Sequence, residues 1–343
     1  MRRGLISGGN DMRWISRFLA FVALAIVSIA PAPAAESDQF RIARQPGLVY
    51  LQAIIMEDKK LIEKHAAALG MKDLKVNWSI ITSGGVMTEA LLSDSIDIAT
   101  TGVSNMLLAW GKTGNIKMVT GMAGVPFFML TRNPNVKSIK DFGPNDRIAV
   151  PTIRVSMQAM MMGIALEQAW GPGQHGKLDS NQVQLGHPEA LAALLNPQHE
   201  VNSHFSIPPF QDIAIKSPLV HTVFVSSDVL GGPVTISNCW ATQKFVDASP
   251  IKIKAFIAAL DEASDMIAND PKTAAEIYLA NTKEKISVDE LVAVMKQPGA
   301  VFSATPQRSM LWAEYMHRIG LVKQKPASWK DYTFPNIYDR NGS

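Results

Sequence analysis

The chain has 343 residues, 33 basic and 30 acidic, with 47% hydrophobic residues and one cysteine. Residues 1–34, read below as a leader, hold four arginines and one aspartate, so the remaining chain carries 29 charges of each sign. That balance argues against a nucleic-acid or anionic-membrane partner, and the lone Cys239 excludes an internal disulfide framework.

Arg13 and Arg17 precede a 13-residue apolar run at 18–30 and then Ala32-Pro33-Ala34, the layout of a secretory signal peptide cleaved after Ala34. The run is well short of the roughly 20 residues a membrane-spanning helix needs. Met12 is an alternative start, and the absence of a cysteine near the cleavage site argues against a lipid anchor. A periplasmic protein of a two-membrane bacterium is expected, with about 309 residues after cleavage, enough for one large core or two medium ones.

Short apolar strands alternate with helical patterns, which predicts an α/β architecture with largely parallel sheets and sites at the strand C-termini. A strand is expected at 40–43, a turn at Gln45-Pro46-Gly47 and one amphipathic helix over 50–69. Val76, Trp78 and Ile80 alternate as a strand. The richest stretch is 83–104, where Ser83-Gly84-Gly85 opens a helix and Thr100-Thr101-Gly102-Val103-Ser104 follows a strand at 96–99 and opens the next helix. Both turns place hydroxyls and unpaired backbone N–H groups at a helix start, where an anion or polar headgroup binds cheaply, although Ser and Thr are also ordinary caps.

Further strands are expected at 117–120 and 127–131. Asn133-Pro134 then breaks the pattern, and a second α/β unit begins at 139–151. It continues through a Met-rich helix at 156–169, a Gly/Pro turn at 171–176, a helix at 188–195 and the segment 203–210, ending near Gly231-Gly232-Pro233. A strand at 234–241 is expected to return to the first lobe, followed by helices at 250–269, 271–281, 287–296 and 306–319.

From FRIARQPG, SGGVMTEALLSDSIDIATTGVSNM, VKSIKDFGPNDRIAVP and the helical last third, the chain resembles the periplasmic solute-binding proteins of ABC importers, specifically the nitrate/sulfonate/taurine-type family, over about 40–322. The resemblance implies the type II two-lobed fold, with two crossing strands forming a hinge. Lobe 1 would comprise 35–132 and 235–343, and lobe 2 would comprise 133–234. It further implies that a small anionic ligand is clamped between the lobes and delivered to an ABC permease and ATPase at the inner membrane, with no cofactor, no metal and no catalysis. A monomer is expected.

Carried over by position, the ligand-binding residues would be Gln45, Pro46, Gly47, Ser83, Gly84, Gly85, Thr101, Gly102, Val103 and Ser104 from the first lobe. Thr152, Arg154, Ser156, His204 and Phe205 would come from the second, with Asn238 and Trp240 on the return strand. The sequence departs from the family at Thr152-Ile153-Arg154-Val155-Ser156, where relatives carry a Gly/Ser-rich loop, and at His204-Phe205-Ser206-Ile207-Pro208, where they often show Trp before Asp-Pro. In this reading Arg154 pairs with a carboxylate or sulfonate, while Phe205, Trp240 and Tyr50 wall an organic or aromatic tail. Each has a structural alternative: Arg154 as a solvated helix-start residue, Trp240 as core, and His204 as a structural histidine.

Enzyme motifs fare poorly. Gly171-Pro-Gly-Gln-His-Gly176 has the G-x-G-x-x-G spacing but follows a helix, and Gly111-Lys112-Thr113 lacks the upstream glycine of a phosphate loop. The seven histidines show no metal-ligand spacing, and Cys239 has no activating base in sequence. The Met run at 157–162 suits adaptable packing, although Met157 at the helix start is placed to touch a ligand. The rival readings are a sensory solute receptor signalling to a membrane kinase, and a pyrimidine-related enzyme or binding protein of the same fold.

Overall fold

The computed structural model describes residues 37–343; the expected leader and its cleavage site lie outside the described residues. Among the described residues no helix is long and apolar enough to cross a membrane.

In chain order the first stretch is β1 (Gln39–Arg44), α1 (Leu51–Asp58), α2 (Leu61–Ala68), β2 (Lys75–Ile80), α3 (Gly84–Leu92), β3 (Ile98–Gly102), α4 (Val103–Thr113) and β4 (Ile116–Gly124). The second is β5 (Phe128–Thr131), β6 (Ile148–Val150), α5 (Met157–Trp170), β7 (Gln182–Gln184), α6 (His187–Leu195), β8 (Ser203–Ser206), α7 (Phe210–Ala214), β9 (His221–Val225) and α8 (Ser226–Leu230). The last is β10 (Ser237–Thr242), α9 (Gln243–Ala248), α10 (Pro250–Asn269), α11 (Pro271–Thr282), α12 (Val288–Lys296), β11 (Val301–Phe302) and α13 (Met310–Arg318).

Two sheets result. The first has the order β11-β4-β10-β3-β1-β2 and the second β7-β6-β8-β5-β9. β1 runs parallel to β2 and β3, and β6 runs parallel to β7 and β8, while β10 and β5 enter antiparallel. Helices cover both faces of the central strands, so Ile42, Ala43, Ile98 and Ala99 are all fully buried and the strands read as apolar runs without alternation. Because the parallel strands lead directly into helices, their C-terminal ends gather the starts of α3, α4, α5 and α6.

Several local expectations change. The helix expected over 50–69 breaks into α1 and α2 at Lys60, which adopts a left-handed conformation with φ 50°. No Gly or Pro marks the break, and both halves pack against α10. β3 extends through Thr100, Thr101 and Gly102, so the expected turn there is the strand's own end, with Gly102 as the N-cap of α4. The return strand begins at Ser237 instead of 234, and α13 begins at Met310 instead of 306. β5 pairs with β8 and β9 and so belongs to the second sheet, just upstream of the boundary expected after 132. The short elements β7, β9, α7, α8, α9 and β11 carry too few periods to register as patterns.

The chain passes between the sheets at 125–127 and again at 231–236. The two passages lie against each other: Ile236 N–H donates to the Ala123 carbonyl at 2.9 Å, and a Cβ added to Gly124 would land on the Val234 carbonyl oxygen. Backbone on both sides cannot give way. Gly124→Ala is therefore expected to lower stability by about 2–3 kcal/mol, read as a shift in the urea midpoint at unchanged slope.

Candidate functional site

The joints between strands and helices of both sheets enclose a cavity of about 20 Å³, the size of a single water-sized sphere. Gln45, Val49 and Tyr50 line it from the β1–α1 connection; Gly84, Thr101, Gly102 and Asn105 line it from the starts of α3 and α4. The second sheet contributes Pro151, Thr152, Ser156, Met157, Gln158, His187 and Ile207, and the passages between the sheets contribute Phe127 and Ile236. No Asp, Glu, Lys or Arg is among these residues.

The helix starts set the electrostatics. The N-caps of α3 (Ser83), α4 (Gly102) and α6 (Gly186) make no side-chain capping bond; only α5 is capped, by Ser156 Oγ accepting from Ala159 N–H at 3.3 Å. The first turns of α3, α4 and α5 also carry no acidic residue. First-turn N–H groups have no partner within their own helix, and aligned peptide dipoles make these ends positive. The cavity is thus electropositive without holding a formal charge.

Side chains complete the donor set. Gln45 is fixed by its Nε2 donating to the Thr82 carbonyl at 3.1 Å, while its Oε1 accepts from Tyr50 Oη at 2.6 Å and Thr101 Oγ1 at 3.0 Å. Asn105 at the third position of α4 makes no side-chain hydrogen bond among the described residues. Thr152 Oγ1 and Ser104 Oγ are buried with no partner there either. Gln158 Nε2 lies 3.2 Å from His187 Nε2, and His187 Nδ1 lies 2.9 Å from His204 Nε2. Burial pushes the His187 imidazole down to about 3 and the His204 imidazole well below its ordinary range, so both are neutral at pH 7.

Of the residues expected from sequence, Gln45, Tyr50, Gly84, Thr101, Gly102, Thr152 and Ser156 meet at this cavity. Others support it. Gly47, with φ 126°, packs where an added Cβ would lie 2.5 Å from Ile207 Cδ1, and Leu48 N–H donates across to the Pro208 carbonyl at 2.8 Å, with Pro46 forming the same turn. Ser83 accepts from Gln184 of the second sheet at 3.3 Å, Gly85 approaches Thr152, and Val103 N–H is taken by the Ile236 carbonyl. Ser104 N–H points at Met157 Sδ at 3.3 Å.

Arg154 does not line the cavity. It sits at φ 61° with a side chain 65% exposed, its Nε ion-paired to Asp179 at 2.8 Å and its backbone N–H held by Gln182, so the turn that carries it faces outward. Trp240 is fully buried in β10, and Phe205 is fully buried against Phe224 with ring centroids 5.3 Å apart; neither lines the cavity. Asn238 is buried beside Thr101 with both amide atoms unpartnered among the described residues, and His204 stands behind His187. Cys239 is buried and its thiol is pushed up to about 12 by desolvation. Among the described residues no group of three His, Cys, Asp or Glu is placed to hold a metal.

Sequence reading missed Asn105, Gln158 and His187, together with the apolar Val49, Phe127, Pro151, Ile207 and Ile236. A signal for the polar three exists: each occupies one of the first three positions of a helix that follows a strand of a parallel pair.

A model of the NMT1-like family matches residues 33–280. No curated protein matches the sequence significantly. Among solved structures, the alkanesulfonate-binding protein SsuA of Xanthomonas axonopodis pv. citri bound to MOPS superposes with a TM-score of 0.70 at 15% identity, over 88% of this chain and 99% of that one. The periplasmic aliphatic sulphonate binding protein SsuA of Escherichia coli gives 0.63 at 18% identity, over 89% and 100%. The periplasmic nitrate-binding protein NrtA of Synechocystis PCC 6803 gives 0.62 at 13% identity, over 87% and 84%. At these identities the likeness is one of fold, and the fold is that of the periplasmic binding proteins.

The buried histidine pair has a consequence for stability. The folded-state values lie below the ordinary 6.5, so the unfolded chain binds more protons between about pH 6.5 and 3. The stabilisation is complete above pH 6.5 and is lost as pH falls, at about 1.4 kcal/mol per pH unit for each histidine. Asp212, held up at about 6 by burial, acts in the opposite direction. The readout is therefore a difference: urea midpoints taken from neutral to mildly acidic pH should fall more steeply for the native protein than for a His187→Gln/His204→Gln double variant.

Proposed function

Because the chain belongs to the NMT1-like family, we propose that it is the substrate-binding component of an ABC importer, working in the periplasm and delivering a small organic oxyanion to a membrane permease and ATPase. The observation that carries this reading is the convergence of three uncapped helix starts and a fourth on one cavity free of charged side chains. A sulfonate or carboxylate can be surrounded there by backbone N–H groups, Asn105, Thr152 and Gln158. Neutral donors suffice because helix dipoles supply the field, and no formal charge is left unpaired when the ligand departs. The organic part of the ligand would meet Tyr50, Phe127, Ile207 and Ile236.

We take the two sheets as the two lobes, with the first ending near Gly124 and the second running to about 230. The cavity is far below the roughly 300 Å³ usual for an organic ligand. Entry then requires the lobes to part about 125–127 and 231–236, and closure around the ligand is a population shift driven by contacts to both. No bond-making step is assigned to the site.

The test is a thermal-shift screen of residues 35–343 against nitrate, alkanesulfonates, taurine, aliphatic and aromatic carboxylates, and neutral pyrimidines. A ligand at about 100 times its dissociation constant adds about 2.7 kcal/mol, a rise of a few degrees in Tm. Stabilisation by one oxyanion class supports the reading, and stabilisation by neutral compounds alone overturns the assigned class. With the hit in hand, calorimetry should show that Asn105→Ala costs about 1–2 kcal/mol of affinity while Arg154→Ala costs nothing measurable.

A further inference from the structure

Two histidines buried beside a ligand cavity need a reason, since each leaves water at a cost. His187 is 5% exposed and His204 fully buried. His187 stacks on Phe210 with ring centroids 5.9 Å apart and planes 13° from parallel, which leaves its edge nitrogens directed at His204 and Gln158. Both nitrogens of His187 are thus engaged by the protein. The chain of contacts is His204 Nε2, His187 Nδ1, His187 Nε2 and the Gln158 amide, and it ends at His204 Nδ1, which is buried without a partner among the described residues.

One proton on each ring can be arranged in two consistent ways. In the first, Gln158 donates to His187 Nε2, His187 Nδ1–H donates to His204 Nε2, and His204 Nδ1 carries an orphaned N–H. In the second, His204 Nε2–H donates to His187 Nδ1, His187 Nε2–H donates to the Gln158 carbonyl oxygen, and only a lone pair is left at His204 Nδ1. A buried N–H without an acceptor is the rarer and costlier defect. The structure sets Gln158 Nε2 against His187 Nε2 at 3.2 Å, as the first arrangement needs, but an amide's oxygen and nitrogen have nearly the same shape, and a 180° turn of that amide gives the second; the network decides between them. The second arrangement also agrees with the rest of the cavity: it turns both Gln158 N–H donors towards a space that helix starts already make a donor site. The first would point a carbonyl oxygen at the same anion.

We infer that His204 and His187 are a positioning pair, both neutral with the proton on Nε2, and that they lock Gln158 with its N–H groups facing the ligand, making Gln158 the side chain that selects an acceptor over a donor. The inference rests on the binding-site reading above and adds the residue that sets its polarity.

The test begins on the native, unliganded protein labelled with 15N-histidine. The protonated and bare nitrogens of a neutral imidazole have widely separated 15N shifts, and their couplings to the ring C–H protons identify which is which. The coupling across the hydrogen bond between the two rings picks the pair out of the seven histidines without any substitution. The expected result is an Nε2–H tautomer at both rings; an Nδ1–H tautomer at either ring overturns the inference. Binding supplies a second readout with ethanesulfonate and benzoate as probes. Gln158→Leu, which removes the donors, should weaken whichever probe binds by roughly ten- to a hundredfold, and unchanged affinity overturns the role of Gln158. The tautomers are measured without ligand, so they decide the proton arrangement even where neither probe binds. That failure would count against the oxyanion reading alone.

Discussion

The first backbone N–H groups of an α-helix cannot be paired within that helix, and this geometric fact organises the whole site. Parallel strands deliver α3, α4, α5 and α6 with these ends turned towards one point, and three of the four lack a side-chain cap. Side-chain caps do occur elsewhere in the chain, although α1, α2, α7, α8, α10 and α13 also begin without one. Thr242, Asp270 and Ser287 all bond the first turns of α9, α11 and α12, with a reciprocal capping box at Ser287 and Glu290. What sets the starts of α3, α4 and α6 apart is their convergence on one cavity. An oxyanion is the partner that such ends favour, and the proposed function follows from that selectivity.

Closure of the cavity is a second consequence of the same architecture. The two halves touch through Gln184 and Ser83, Lys216 and Glu290 at 2.7 Å, and Arg318 and Glu167 at 2.7 Å. Lys216, Glu290 and Arg318 are exposed, and ion pairs in water contribute little, so these contacts guide the approach of the halves without locking it. Backbone contacts at the passages are tighter, as Gly124 against Val234 shows, and in the proposed reading the halves part about them. A ligand that bonds donors from both sheets at once is what would tip such a balance.

The α/β class, the longer strands of both sheets and the helix starts after 83 and 102 were legible in sequence because they rest on local chemistry: apolar runs, small residues and hydroxyls at helix starts. Orientation was not. Phe205 and Trp240 sit on strands covered on both faces, where no alternation reveals which side a residue faces, and both turned out to be core. Arg154 looked like a ligand cation because it precedes a helix, but a left-handed turn aims it at Asp179. His187 and Gln158 were missed for the converse reason. Each is an ordinary helix-start residue until strand order brings α5 and α6 to the same point, and strand order is a property of the whole chain. The break at Lys60 carries no Gly or Pro that a sequence reading could use.

The central claim is that this cavity recognises an oxyanion with neutral donors and helix dipoles. Its most direct test is a calorimetric comparison of one isosteric pair, an alkanesulfonate and the methyl sulfone of the same chain, which differ in charge and hardly in shape. The account predicts that the sulfonate binds at least about a hundredfold more tightly, a difference near 2.7 kcal/mol. Equal affinity, or preference for the sulfone, would contradict it.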